Sequence, residues 1–216
     1  MRYCIAALYF LVVALHLFAC VPPERHVLRK ITKCLLMPLL ALSYRFYATD
    51  FSVLIFFALM FGFAGDAFLL APNWTWSFGA GLASFAIGHI FYIVFMLRSL
   101  PVLPDWYLFA ILILVCFSAG VFYLYMLRKG LPRTLRVPGF FYVVDIVFMA
   151  GSTFFFAFSG VSPIGWLAPI GGLLFVASDS MLSFDTFLKP IPYRYLAVMG
   201  TYIAAQTLLT VAFTFA

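Results

Sequence analysis

The chain has 216 residues, of which 66% are hydrophobic and only 9% are charged. Soluble globular domains carry roughly 25% charged residues, so the composition excludes an ordinary soluble domain and predicts a polytopic membrane protein. The formal net charge of +6 is explained by membrane topology and by attraction to anionic lipid headgroups. Nothing in the sequence indicates a nucleic-acid partner.

Eight apolar segments are long enough to cross the hydrocarbon core, which needs about 20 helical residues. They fall approximately at 3–20, 31–48, 51–70, 76–97, 105–127, 137–158, 163–187 and 194–214. Little chain remains for a soluble domain. We therefore predict one transmembrane domain over residues 1–216, an all-α membrane bundle of eight transmembrane helices, with two four-helix halves as a further option.

The lysines and arginines are distributed unevenly between the two sides of these spans. Ten lie in the loops that follow odd-numbered spans, counting Lys33 at the membrane edge, and three lie in the other loops and the termini. Because cytoplasmic loops carry the excess of Lys and Arg, both termini are predicted to be outside. The compactness of the chain favours a bacterial cell (inner) membrane.

The four cysteines contain no CxxC pair, so they indicate neither a disulfide framework nor a zinc ribbon. The chain also has no glycine-rich phosphate loop and no GxSxG motif. We predict no cofactor and no metal site.

Asp66 and Asp179 each lie inside a long apolar segment, and each is followed 23 residues later by another polar residue, His89 and Tyr202. An ionisable side chain in hydrocarbon is costly and is by default a functional-site hypothesis. The alternative is that each aspartate only binds neighbouring backbone donors at a helix end. Two aspartates at matched depth weaken that alternative.

Counted from the predicted cytoplasmic ends, at a rise of about 1.5 Å per residue, six polar side chains share one layer in the cytoplasmic half of the bundle. They are Lys33, Asp66, Tyr142, Asp145, Asp179 and Tyr202. His89 and Gln206 lie deeper and would form the floor. Asp145 is expected to pair with Lys33, which could alternatively be a topology anchor that reaches the surface. His16 is interpreted as packing, and Asp185, Lys189 and Arg194 as a solvated loop.

An internal repeat is a weaker expectation. The segments FGFAGDAFLL and LLFVASDSML lie 113 residues apart and share a small residue, Asp, two residues and Leu. Two four-span halves of equal orientation would be related by an axis along the membrane normal. Chance similarity is an equally good explanation.

The segments GDAFLL, FAIGHIFY, LLFVASDSML and TYIAAQTLL follow one another in this order. Together they resemble the ordered signature of the lysoplasmalogenase family, the YhhN-like membrane proteins. Lys33 followed by Pro38, and Tyr142 in the sixth span, also fit that pattern. The resemblance covers nearly the whole chain and implies that Asp66 and Asp179 match the two aspartates of the catalytic centre. Asp145 is an additional acid.

This resemblance implies hydrolysis of the vinyl ether bond of a lysoplasmalogen, giving a fatty aldehyde and glycerophosphoethanolamine or glycerophosphocholine. The reaction needs one protonated carboxylic acid and a separate base that activates water, a division of labour also found in two-carboxylate glycosidases. One aspartate would be the acid and the other the base, and the sequence does not distinguish them. The supporting groups that would orient water and the ether oxygen are His89, Tyr202, Gln206 and Tyr142. Lys33 would bind the headgroup phosphate of this membrane-derived lysophospholipid.

Three other functions stay open. A metal-dependent membrane lipid hydrolase would need a cluster of ligands, usually several histidines, whereas only His16 and His89 lie within spans. A proton-coupled transporter also uses buried carboxylates. A non-catalytic lipid-binding or scaffold protein would leave the paired acids unexplained.

Overall fold

The structure is a computed structural model that describes residues 2–21, 25–71 and 74–216, with the backbone alone at 74 and 75. Within those ranges it contains eight helices and no strand. The helices are α1 (Arg2–Cys20), α2 (His26–Tyr47), α3 (Val53–Phe68), α4 (Trp74–Ser99), α5 (Trp106–Leu127), α6 (Arg133–Phe158), α7 (Leu167–Phe187) and α8 (Arg194–Thr214).

Six of these helices, α1 and α4 to α8, are long and apolar enough to cross a membrane, judged over the described part of the chain. The protein is therefore an all-α integral membrane protein. Helix α3 has 16 residues, about 24 Å at the usual helical rise, and α2 carries Arg29, Lys30 and Lys33 in its first half. For α2 and α3, the crossing of the membrane stays a prediction.

The helices form an up-and-down bundle in which neighbours along the chain pack together, with one exception. Helix α4 packs against α6, while α5 lies outside and packs against α6. Helix α8 closes the ring by contacting α1 and α2. Many aliphatic and aromatic side chains of α5 are exposed, as expected for a helix that faces lipid.

Glycines permit close approach in the two helix pairs with the most extensive contact, α3 with α4 and α7 with α8. A Cβ atom added at Gly88 of α4 would lie 3.0 Å from the carbonyl oxygen of Ala58 on α3, and one at Gly171 of α7 would lie 3.0 Å from that of Ala205 on α8. Small residues permit such approach where lipid removes the hydrophobic driving force between helices. These two pairs carry the four polar residues that are spaced by 23.

If the chain consists of two repeated four-helix halves, α4 corresponds to α8 and α2 corresponds to α6. The helix contacts fit this correspondence, because α4 packs on α6 and α8 packs on α2. Packing between helices that follow one another in the chain occurs in any up-and-down bundle, so those contacts do not test the repeat. The internal repeat stays a prediction.

Candidate active site

Lys33 and Asp66 form an ion pair between α2 and the last turn of α3. Lys33 Nζ lies 3.1 Å from Asp66 Oδ1, and the two side chains are only 13% and 3% exposed. The second oxygen of Asp66, Oδ2, has no hydrogen-bond partner among the described residues. The predicted pairing of Lys33 with Asp145 is therefore wrong, because Asp66 occupies the ammonium group.

Asp145 pairs instead with His89, whose Nδ1 lies 2.7 Å from Asp145 Oδ2. The contact exists because α4 and α6 are neighbours in the ring. A carboxylate at Nδ1 makes that nitrogen the N–H donor and fixes the orientation of the ring. His89 is buried, and its Nε2 has no partner within the described ranges. Asp145, an additional acid in the sequence, thus holds His89 in position.

Asp179 receives a hydrogen bond from the hydroxyl of Tyr142, across the interface of α6 and α7. It lies on the wall of a groove of about 200 Å³ between α5, α6 and α7. The groove is otherwise mostly apolar, with Phe122, Met126 and Val147 in its lining. Asp179 is partly exposed because it faces this groove.

Tyr202 and Gln206 lie one turn apart on α8. Tyr92 donates a hydrogen bond to Gln206 Oε1 over 2.7 Å, a contact that sequence analysis missed. The Tyr202 hydroxyl lies near Asp66 without completing a hydrogen bond. A Cβ atom at Gly62 would lie 3.3 Å from Gln206 Nε2 and 3.4 Å from the Tyr202 hydroxyl. Gly62, one turn before Asp66, therefore provides the space that these two side chains occupy.

The carboxyl groups of Asp66 and Asp179 are close enough for their charges to interact. Each also interacts with a polar residue from the other half of the chain, Asp66 with Tyr202 and Asp179 with His89. The candidate residues of the sequence analysis thus form two neighbouring groups, one around Asp66 and one around Asp179, and the Phe175 ring contacts His89 of one group and Tyr202 of the other. We call these seven residues the polar cluster. They are Lys33, Asp66, His89, Tyr142, Asp179, Tyr202 and Gln206.

A basic cavity of about 350 Å³ opens beside Lys33, at the end of the bundle where α1, α3 and α7 end. Its wall carries four cationic side chains and one acidic side chain, namely Arg29, Lys30, Lys33, Arg194 and Asp185. Such an excess of positive charge suits a phosphate group. Arg194 Nη1 lies 3.3 Å from Asp185 Oδ2. Asp185 lies in the last turn of α7 and Arg194 is the first residue of α8, so the loop assignment is wrong for these two residues. Lys189 does lie exposed between the two helices, and the Arg194 side chain is 46% exposed.

An apolar cluster contributes to the walls of both the basic cavity and the groove. It consists of Phe78, Leu127, Leu131, Leu135 and Phe187. Phe78 lines the cavity and Leu127 lines the groove. The rings of Phe78 and Phe187 meet edge to face, with centroids 5.4 Å apart.

Metal ligands do not cluster in the described part of the chain, where no group of three or more His, Cys, Asp or Glu side chains could hold a metal ion. The cysteines Cys4, Cys20, Cys34 and Cys116 are free thiols.

Fold and site define a class of α-helical membrane protein with two carboxyl groups in one polar cluster beside a cationic cavity. A model of the YhhN family matches residues 28–213, and the chain belongs to this family. The predicted family is confirmed, and the matched range contains every residue of the polar cluster.

Several relatives carry a named activity. The chain is 34% identical over 155 residues to the human lysoplasmalogenase TMEM86B, covering 72% of this chain and 61% of that protein. It is 33% identical over 188 residues to the Bos taurus lysoplasmalogenase TMEM86A, covering 83% and 73%. It is 29% identical over 160 residues to a lysoplasmalogenase of Mycobacterium bovis, covering 73% and 59%. The chain thus spans less than two thirds of the first and third of these relatives. No solved structure matches it.

Proposed function

We propose that this protein hydrolyses the vinyl ether bond of lysoplasmalogens, releasing a fatty aldehyde and glycerophosphoethanolamine or glycerophosphocholine. Relatives named lysoplasmalogenase support this reaction. The observation that carries the proposal is that Asp66 and Asp179 share one polar cluster but have different partners. Asp66 is paired with the ammonium group of Lys33, and Asp179 with the neutral hydroxyl of Tyr142.

This difference supports a division of roles. Asp179 is the general acid, because it faces the apolar groove and has a neutral partner. It transfers its proton to the β-carbon of the vinyl ether, and the electron pair of the double bond forms the new C–H bond. The product is an oxocarbenium ion, of the kind that two-carboxylate glycosidases stabilise. The Asp179 carboxylate formed in this step is close enough to stabilise the cation.

Asp66 is the general base, since its ion pair with Lys33 stabilises the carboxylate form. Water adds to the oxocarbenium carbon and gives its proton to Asp66. The hemiacetal then collapses: its hydroxyl proton passes to the Asp179 carboxylate, the C–O bond to glycerol breaks and the leaving glycerol oxygen takes the proton from Asp66, so that both aspartates return to their starting states. One water is consumed, and one aldehyde and one alcohol are formed.

A water site near Asp66 is supported by unpartnered polar atoms. Among the described residues, Asp66 Oδ2, Tyr202 Oη and His89 Nε2 are all buried without a hydrogen-bond partner. Buried polar atoms are normally satisfied by protein or by ordered water. We assign Tyr202 and His89, with Gln206 behind Tyr202, to orienting the water and the ether oxygen.

The cavity and the groove suggest how the lipid lies. The phosphate binds in the basic cavity at Lys33, and the alkenyl chain occupies the groove beside Asp179. The ether bond, just below the headgroup, then lies at the polar cluster.

The distribution of Lys and Arg supports placing the basic cavity on the cytoplasmic side, with both termini outside. We propose that all eight helices cross the membrane, and that the membrane is a bacterial inner membrane. The substrate then enters from the cytoplasmic leaflet.

The decisive experiment measures aldehyde release from lysoplasmalogen by detergent-purified protein, with and without EDTA. The variants are Asp66→Asn and Asp179→Asn, with Asp105→Asn as the matched control because Asp105 is an exposed acid. We expect release that survives EDTA, disappears in both site variants and persists in the control. Retained activity in both site variants would sink the two-aspartate mechanism.

Two other outcomes favour the alternatives. Loss of activity with EDTA and recovery with added metal would favour a metal-dependent lipid hydrolase. A folded wild-type protein that releases no aldehyde would overturn the proposed function and favour proton-coupled transport.

A further inference from the structure

His16 lies at the floor of the basic cavity and has a defined hydrogen-bonding state. It is completely buried, it lines the cavity, and its Nδ1 lies 2.8 Å from Thr32 Oγ1. The Thr32 hydroxyl donates its single hydrogen to the carbonyl oxygen of Leu28 over 2.7 Å. A second carbonyl oxygen, that of Arg29, lies 3.3 Å from the same hydroxyl. We therefore assign the hydroxyl hydrogen to the carbonyl groups and the Nδ1–H hydrogen to His16 as donor to Thr32, which leaves Nε2 of the neutral ring as an acceptor.

That acceptor, His16 Nε2, is buried and has no partner in the part of the chain that the structure describes. A buried acceptor that stays unsatisfied destabilises the structure that contains it. A ligand that brings a donor to the cavity would remove this penalty.

Arg29 provides a second unsatisfied group in the same cavity. Its guanidinium carbon lies 3.7 Å from the centroid of the Tyr195 ring, which holds the planar group in place. Its Nη1 is buried and has no partner in the part of the chain that the structure describes. Arg29 and Lys33 both line the cavity, and a guanidinium group binds phosphate oxygens well.

We infer that His16 and Arg29 together recognise a phosphate ester in which the carbon next to the phosphate-bearing carbon carries a free hydroxyl group. Arg29 binds a phosphate oxygen, and His16 Nε2 accepts a hydrogen bond from the hydroxyl. The inference rests on the proposed function for its ligand, in which this hydroxyl is the sn-2 hydroxyl of the lysolipid glycerol. His16 is then a specificity-determining residue, because an acyl ester at sn-2 has no hydrogen to donate and adds bulk.

The test compares two non-cleavable ligands, 1-O-alkyl lysophosphoethanolamine and its 2-deoxy analogue. Their dissociation constants are measured with the detergent-purified wild type, His16→Phe and His16→Gln. The wild type should bind the hydroxyl ligand about tenfold more tightly, since one hydrogen bond to a neutral acceptor contributes about that much. His16→Phe should abolish the difference, and His16→Gln, whose amide oxygen can replace Nε2, should keep it.

Equal binding of the two ligands by the wild type would overturn the inference, and this result does not depend on the folding of any variant. A tenfold preference retained in folded His16→Phe would overturn it too. Glycerophosphoethanolamine, which keeps phosphate and hydroxyl but lacks the chain, is a competitor. We expect it to bind at least tenfold more weakly, and equal binding would contradict a lysolipid as the ligand.

Cleavable vinyl ether versions of the same pair separate this inference from the proposed function. Equal aldehyde release from both would leave the function standing and overturn the role of His16. No release from either, together with hydroxyl-dependent binding of the alkyl ligands, would overturn the function and keep the role of His16.

Discussion

Lys33 Nζ lies 3.1 Å from Asp66 Oδ1, and this ion pair connects the wall of the basic cavity to Asp66, the first of the two aspartates. Lys33 lines the cavity, whereas Asp66 is buried behind it. A phosphate that binds Lys33 therefore shares the ammonium group with the proposed base. Under the proposed mechanism, phosphate binding and the protonation state of Asp66 are coupled through the Lys33 side chain.

Replacing Lys33 with Met should abolish aldehyde release and lower the thermal stability. Removing one partner of a buried ion pair leaves an unpaired charge, which typically costs about 3–5 kcal/mol. Lys33→Arg keeps the charge and should retain part of the activity. Lys129→Met is the control, since Lys129 is exposed and lines neither the basic cavity nor the groove. Wild-type kcat/KM in folded Lys33→Met would contradict the prediction.

Replacing Tyr142 with Phe should lower kcat by about 10²-fold, the smaller end of what a positioned acid contributes. The hydroxyl of Tyr142 holds Asp179 in place, and the ring would remain. Tyr125→Phe is the matched control, because Tyr125 is an exposed tyrosine of α5. The measurement is steady-state aldehyde release. An unchanged kcat in Tyr142→Phe would show that the hydrogen bond has no part in turnover.

His89 and Asp145 should behave as one unit in a double-mutant cycle on kcat/KM. If Asp145 acts by orienting His89, then Asp145→Asn should have little effect once His89→Phe is present. Residues in contact typically show coupling energies of about 0.5–3 kcal/mol. The control cycle combines His89→Phe with Asp105→Asn, where the effects should add. If the effects of His89→Phe and Asp145→Asn were additive, Asp145 would not act through His89.

The members of the polar cluster could be predicted from sequence, but their pairing could not. Each residue interrupts an apolar helix, and that signal is visible in the chain. The pairing depends on which helices are neighbours. Because α5 lies outside the ring, α4 packs against α6, and His89 contacts Asp145. If each helix packed only against its neighbours in the chain, α4 and α6 would not meet and this contact would not be expected.

His16 shows a second limit of the sequence. A single histidine in an apolar helix has the same appearance whether it packs or binds a ligand. Its partner Thr32 lies on the next helix, and the orphan nitrogen is recognised only once both are placed. Helix α2 also begins at His26 rather than near residue 31. That extension brings Arg29 and Lys30 onto the cavity wall as helical residues.

Gly62→Ala should lower kcat/KM by about tenfold without unfolding the protein. The added Cβ would lie 3.3 Å from Gln206 Nε2, so that the amide group must move by a few tenths of an ångström, and 3.4 Å from the Tyr202 hydroxyl, which is just at contact distance. Misplacement of positioning groups by about 1 Å can reduce a rate 10²-fold, and a smaller shift should cost less.

Gly200→Ala is the control for Gly62→Ala, because Gly200 lies on α8, the helix that carries Tyr202. A Cβ atom at Gly200 meets nothing within 4 Å. An alanine there should stabilise α8 by roughly 0.5–1 kcal/mol, because glycine is the poorer helix former, and should leave kcat/KM unchanged. Thermal unfolding and aldehyde release measured on both variants separate helix propensity from crowding at the site. If Gly62→Ala kept wild-type kcat/KM, the positions of Tyr202 and Gln206 would not matter for catalysis.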